Sequence, residues 1–133
     1  MSNEKQIEQE IQDKGLNAPR LTPEHINNLI VSSIYFTGAD AVNAAMNSKT
    51  GCIQSEYQEG KNILSAADTL TFCILILRNG FTVTGESACA SPENFDPEVG
   101  RKIAYGNARE KIWLIEGYLL KEKLHQAKLD EQF

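Results

Sequence analysis

"LTFCILILRNGFTVTGESA", Leu70 to Ala88, is the stretch whose reading decides the fold. Two strand-like runs flank Asn79-Gly80, a pair suited to a two-residue type I′ turn because both positions there need positive φ. The spacing predicts an antiparallel hairpin over about residues 69–89. With that turn Arg78 faces Phe81, Ile76 faces Val83, Ile74 faces Gly85 and Phe72 faces Ser87. The other surface then pairs Leu77 with Thr82, Leu75 with Thr84 and Cys73 with Glu86. The first strand is apolar on both surfaces, as in a central strand covered on both sides. A third strand is expected beside it, from Ile34 to Thr37. In this register Cys73 and Cys89 point to opposite surfaces, which argues against a disulfide between them.

Downstream, "SPENFDPE" (91–98) reads as a turn and a helix start, with Asp96 as cap, Pro97 as first helical residue and Glu98 against the positive end of the helix dipole. This long helix is expected from about 97 to 127. Its apolar residues fall on two sides: Val99, Ile103, Trp113, Leu120 and Leu124 on one, and Ala104, Ala108, Ile112, Ile115 and Leu119 on the other. One thin sheet cannot cover both, so a homo-oligomer is expected. Gly106 and Gly117 read as places where a neighbouring strand or helix comes close. Trp113, Phe95 and Phe81 read as core.

Upstream, Thr22 and Pro23 open a second helix whose face carries Ile26, Leu29 and Ile30. Residues 1–21 give a polar, weakly amphipathic helix prone to fraying, with Gly15 as its stop. Residues 38–68 read as an insertion within one domain spanning 1–133. The fold class is α+β: a small antiparallel sheet packed by N-terminal helices and the long C-terminal helix.

Composition narrows the function. Hydrophobic content of 41% and charged content of 23% place the chain among globular proteins rather than disordered ones. A formal net charge of −5 argues against general nucleic-acid binding. No segment approaches the roughly 18 apolar residues of a membrane span, and the polar opening is not a secretory signal. A cytosolic protein with reduced thiols is expected. Cys52, Cys73, Cys89, His25 and His125 show no metal-ligand spacing, so neither metal nor cofactor is expected.

Gly85-Glu86-Ser87 lacks the second glycine and the strand-to-helix turn of a nucleophile elbow. Phosphate-loop patterns are absent; Gly100, Arg101 and Lys102 open the last helix, yet Asp96 and Glu98 already bring negative charge there. No catalytic residue is assigned. Arg101, Tyr105 and Arg109, four apart on one helical flank, are the best small-ligand candidates, able to pair phosphates and stack a base; the plain alternative is a solvated flank with Arg109 paired to nearby Glu side chains. Thr82, Thr84 and Glu86 form a polar row that can floor a ligand groove or simply face water.

The run "LTFCILILRNGFTVTGESACASPENFDPEVGRKIAYGNAREKIWLIEGYLLKEKL" (70–124), with "KGLNAPRLTPEHINNLIV" (14–31) and "YFTGAD" (35–40), resembles the phage gene-product-49/gene-66 family. These are small proteins of tailed phages and prophages, essentially of unknown function, and no catalytic residues carry over. The resemblance implies a phage accessory protein in the host cytoplasm. The first expectation is a non-enzymatic protein that acts by binding in host takeover or counter-defence, sequestering a small nucleotide signal. The alternative is a module docking on a host or phage enzyme, and a weaker one an enzyme on a small phosphorylated substrate.

Overall fold

A computed structural model of the protein describes residues 3–47 and 64–132. Cys52 and most of the segment assigned to an insertion lie outside them. In chain order the elements are α1 (Glu4–Asp13), α2 (Pro23–Leu29), β1 (Ile30–Thr37), α3 (Gly38–Asn47), a 3-10 turn (Leu64–Thr69), β2 (Leu70–Leu77), β3 (Thr82–Ala88) and α4 (Pro97–Glu131). The three strands form one antiparallel sheet in the order β1-β2-β3, so the doubly apolar strand is central. This is the α+β architecture expected. The third strand is longer than its sequence pattern implied, beginning at Ile30 where α2 ends.

Local chemistry sets the helix starts. Thr22 Oγ1 accepts from the His25 N–H at 3.1 Å and caps α2 ahead of Pro23. Asp96 Oδ1 accepts from the N–H groups of Glu98 and Val99, so the start of α4 is filled by its own carboxylate. Thr37 and Asp40 exchange bonds at the start of α3, each accepting from the other's N–H at 3.0 Å. Helix α4 continues to Glu131, beyond the expected end near 127.

The hairpin turns at Asn79-Gly80, but its register is one residue away from the type I′ expectation. Leu77 N–H donates to Phe81 O at 2.8 Å, and Gly80 N–H donates to Leu77 O at 2.8 Å. The loop therefore has three residues, with Gly80 left-handed at φ 88° and Asn79 Oδ1 accepting from Phe81 N–H. Pairs become Ile76↔Thr82, Leu75↔Val83, Ile74↔Thr84, Cys73↔Gly85 and Phe72↔Glu86. A slip of one residue exchanges the two faces of a strand. Thr82, Thr84 and Glu86 thus lie on the face with Ile76, Ile74 and Phe72, while Val83 and Gly85 turn toward α4. Replacing Gly80 by alanine is expected to cost about 1–2 kcal/mol, the left-handed penalty for a residue with a Cβ, read by urea unfolding.

The core lies between the inner sheet face and the helices. Ile26, Cys73, Leu75, Leu77, Val83, Ala104, Ala108 and Ile112 are buried together, with Leu29, Ile30, Tyr105 and Trp113 packed around them. Small residues let α4 settle onto the sheet. A Cβ on Gly85 would stand 2.3 Å from both Ala104 O and Ala108 N, and one on Gly100 would stand 2.6 Å from Thr71 Oγ1. The close approaches are here and not at Gly106 or Gly117, where a Cβ meets nothing within 4 Å among the described residues. Phe81 is exposed rather than core; it directly follows the loop, its carbonyl accepting from Leu77 N–H at the end of the sheet. Cys73 and Cys89 are both free thiols. On the outer face Phe72, Ile74 and Ile76 are half-buried, and Phe36 stacks on Phe72 with ring centroids 5.3 Å apart.

Candidate functional site

The groove of interest runs along the flank of α4, between the start of α1, the start of α2 and Tyr35 of β1. Its volume is about 980 Å³, enough for a drug-sized or dinucleotide-sized molecule. Arg101, Lys102, Tyr105 and Arg109 all line it, two helical turns from end to end. Four-residue spacing on one long helix brings them together, as the sequence implied. Thr82, Thr84 and Glu86 do not join them. They stand on the outer face of the sheet, with α4 on the inner one, because of the shifted register.

The members of the flank have different surroundings. Arg101 is exposed at the groove edge, with no side-chain hydrogen bond or ion pair among the described residues. Lys102 makes only a loose, exposed i,i+4 contact of 3.4 Å with Glu98. Arg109 is 7% exposed and fully engaged. Its Nε and Nη2 donate to the two carboxylate oxygens of Glu4 at 2.8 Å each, Nη2 also donates to Pro23 O at 3.2 Å, and Nη1 donates to the Tyr105 hydroxyl at 3.1 Å. Trp113 Nε1 adds a third N–H toward Glu4, at 3.2 Å. Burial, the largest single influence, lowers the Arg109 pKa; the Glu4 carboxylate and the Tyr105 hydroxyl together more than offset it and leave it raised.

Arg109 therefore pairs neither with solvent nor with glutamates on its own helix, but with a residue 105 positions away. No periodicity in the sequence announces such a bond. The one local hint is that Glu4 falls in the first turn of α1, where a carboxylate also suits the helix dipole.

Helix α1 rests on this clamp and on a second one. Arg20 grips Glu8 through two bonds of 2.6 and 2.8 Å, while no residue of α1 is buried. The Arg20 guanidinium, with help from Gln12, holds the Glu8 carboxyl down from 4.5 to about 2. A depressed folded-state pKa stabilises above the unfolded value and is lost as pH falls through the folded one. Acidification from pH 4.5 toward 2 is thus expected to release α1 before the sheet. Amide exchange should accelerate across residues 4–13 while β2 stays protected; simultaneous loss of both would refute it.

Among the described residues no hydrolytic grouping is assembled around Ser87. It pairs with Thr71 at the end of β3, while His25 bonds Glu116 at 2.8 Å on another surface. Among the described residues no group of three or more His, Cys, Asp or Glu is placed to hold a metal ion, and no helix is long and apolar enough to cross a membrane.

No curated protein and no solved structure matches the chain significantly. The profile of one family does match, over residues 21–124, from the connector before α2 to the distal part of α4. That span contains the whole sheet and every α4 residue of the groove, and by it the chain belongs to the family described as Phage protein (N4 Gp49/phage Sf6 gene 66).

Proposed function

We propose that this phage protein works by binding rather than catalysis, taking a small anionic ligand of the nucleotide class into the α4 groove in the host cytoplasm. Sequestering such a signal would serve host takeover or counter-defence. The observation that carries the reading is Arg101, without an ion pair among the described residues, beside Lys102 at the edge of a roomy groove, one helical turn from the Tyr105 ring. A guanidinium and an ammonium recognise phosphates, and an aromatic ring offers a stacking face for a base. Calorimetry with cyclic di- and trinucleotides and NAD-derived signals tests it. Binding of at least one is expected, weakened tenfold or more in an Arg101→Ala, Lys102→Ala double variant. Absence of heat for all of them at high protein concentration would remove the nucleotide reading.

A second reading, docking, is favoured by the distal half of α4. This helix of 35 residues is about 52 Å long, far longer than the strands of eight and seven residues it covers. Beyond Ile112, its last buried residue, Leu114 and Tyr118 are 77% and 75% exposed, one turn apart. A second copy or a host or phage enzyme would shield them. Light scattering that gives a monomer in the wild type would leave only the foreign partner. An oligomer that Leu114→Glu disperses would identify a second copy.

A further inference from the structure

We infer that Glu4 is a displaceable plug: its carboxylate fills an oxyanion cradle built by Arg109 and Trp113, and a phosphoryl group of the groove's ligand competes with α1 for that cradle. The inference rests on the groove being a ligand site and adds how access to it is controlled.

Three N–H groups converge on the Glu4 oxygens: Arg109 Nε and Nη2 at 2.8 Å and Trp113 Nε1 at 3.2 Å. A planar fork plus a third donor is the arrangement that recognises carboxylate or phosphate oxygens. The cradle is secured from behind, since Pro23 O and the Tyr105 hydroxyl hold the guanidinium independently of Glu4. It therefore keeps its shape when the carboxylate leaves.

The plug is held weakly in comparison. No residue of α1 is buried, Ile7 is 47% exposed, and the tether after it passes through left-handed Gly15 and the exposed Leu16. Undocking costs the two acidic clamps more than apolar packing. Residues Asn3 to Gln6 also form one wall of the groove, so undocking opens the same space that Arg101 and Lys102 border. Arg101 lies two turns from Arg109, about 12 Å along the axis, within reach of a ligand bearing phosphates at both ends. With α1 undocked, Arg101, Lys102 and Arg109 exceed Glu98 and Glu110 in the lining by one positive charge, and a phosphoryl group, with more oxygens and up to two charges, suits that excess better than another carboxylate. Pro23, Tyr105, Arg109 and Trp113 fall within the family match, whereas Glu4 lies before it.

Calorimetric titration of the full chain with inorganic pyrophosphate at low ionic strength tests the plug, alongside amide exchange. Glu4→Ala is expected to bind at least tenfold more tightly than wild type, and Glu4→Gln several-fold. Glu110→Gln removes an equal charge from the same groove without emptying the cradle, and is expected to change affinity less than threefold. In the wild type, saturating pyrophosphate should speed exchange across residues 4–13. Equal tightening by Glu110→Gln, no tightening by either Glu4 variant, or slower exchange in α1 overturns the plug. Should Glu4→Ala fail to fold, Glu4→Gln gives the affinity comparison and decides by the same criterion. If wild type binds a nucleotide and the Glu4 variants bind it no better, only the plug falls. If wild type and variants bind neither pyrophosphate nor any nucleotide, the ligand-site reading falls with it.

Discussion

Gly85→Ala is expected to lower stability by about 3 kcal/mol or more, at the upper end of what overpacking a core costs. The added methyl would stand 2.3 Å from Ala104 O, 2.3 Å from Ala108 N and 2.9 Å from Ala108 Cα. All three are backbone atoms inside α4, so no rotamer change relieves the clash. Relief requires lifting the helix from the sheet, which also parts its own Ile112 from Cys73 and Leu75 in the core. Against a total stability of roughly 5–15 kcal/mol such a loss is severe. The same exchange at Gly106 or Gly117 is expected to have the opposite sign. A Cβ there meets no described residue within 4 Å, and alanine is favoured over glycine inside a helix by about 1 kcal/mol. Urea unfolding followed by Trp113 fluorescence reads all three. A Gly85→Ala midpoint equal to wild type would mean that α4 does not lie on the sheet at this point.

The hairpin was legible because Asn79-Gly80 interrupts two β-rich runs, and the long helix because Asp96-Pro97 caps it. The register was not, for a specific reason. Asn-Gly serves both a two-residue turn and a three-residue loop with a left-handed glycine. The apolar pattern of β2, which carries large side chains on both faces, cannot discriminate between them. The discriminating information sits in β3. Under the two-residue turn, Thr82, Thr84 and Glu86 share a face with Leu77, Leu75 and Cys73, now known to lie under α4. That register would bury a carboxylate and two hydroxyls, and would turn away the glycine that permits close packing. The bulged loop places Val83 and Gly85 inward instead. An unexplained glycine in a strand, with Ala104 and Ala108 at helical spacing downstream, was the readable signal. For the groove, the Arg101–Tyr105–Arg109 flank follows from four-residue spacing alone. The division of labour within it does not, because Glu4 reaches Arg109 across the whole chain.

That bond sets the second large effect. Arg109→Ala is expected to cost about 3 kcal/mol, near the lower end for breaking a buried ion pair. The lower end applies because the two partners are not equally enclosed: the side chains of Arg109 and Glu4 are 8% and 21% exposed. With the guanidinium gone, Glu4 can turn to water as α1 loosens, so it escapes the full penalty of a stranded charge. Tyr105 and Pro23 O lose their donor and cannot move as freely, since both belong to the packed body of the protein. Arg109→Lys should fall between, near 1–2 kcal/mol, because an ammonium keeps the charge but cannot span both carboxylate oxygens and the Pro23 carbonyl at once. Arg109→Met, which fills the volume without charge, is expected to cost less than alanine. A double-mutant cycle of Arg109→Met with Glu4→Gln separates the pair's coupling from packing, and a coupling of about 1–3 kcal/mol is expected for groups in direct contact. Additive single effects would show that Glu4 contributes nothing through Arg109, and Arg109→Ala within 1 kcal/mol of wild type would show that the guanidinium is not what joins α1 to α4.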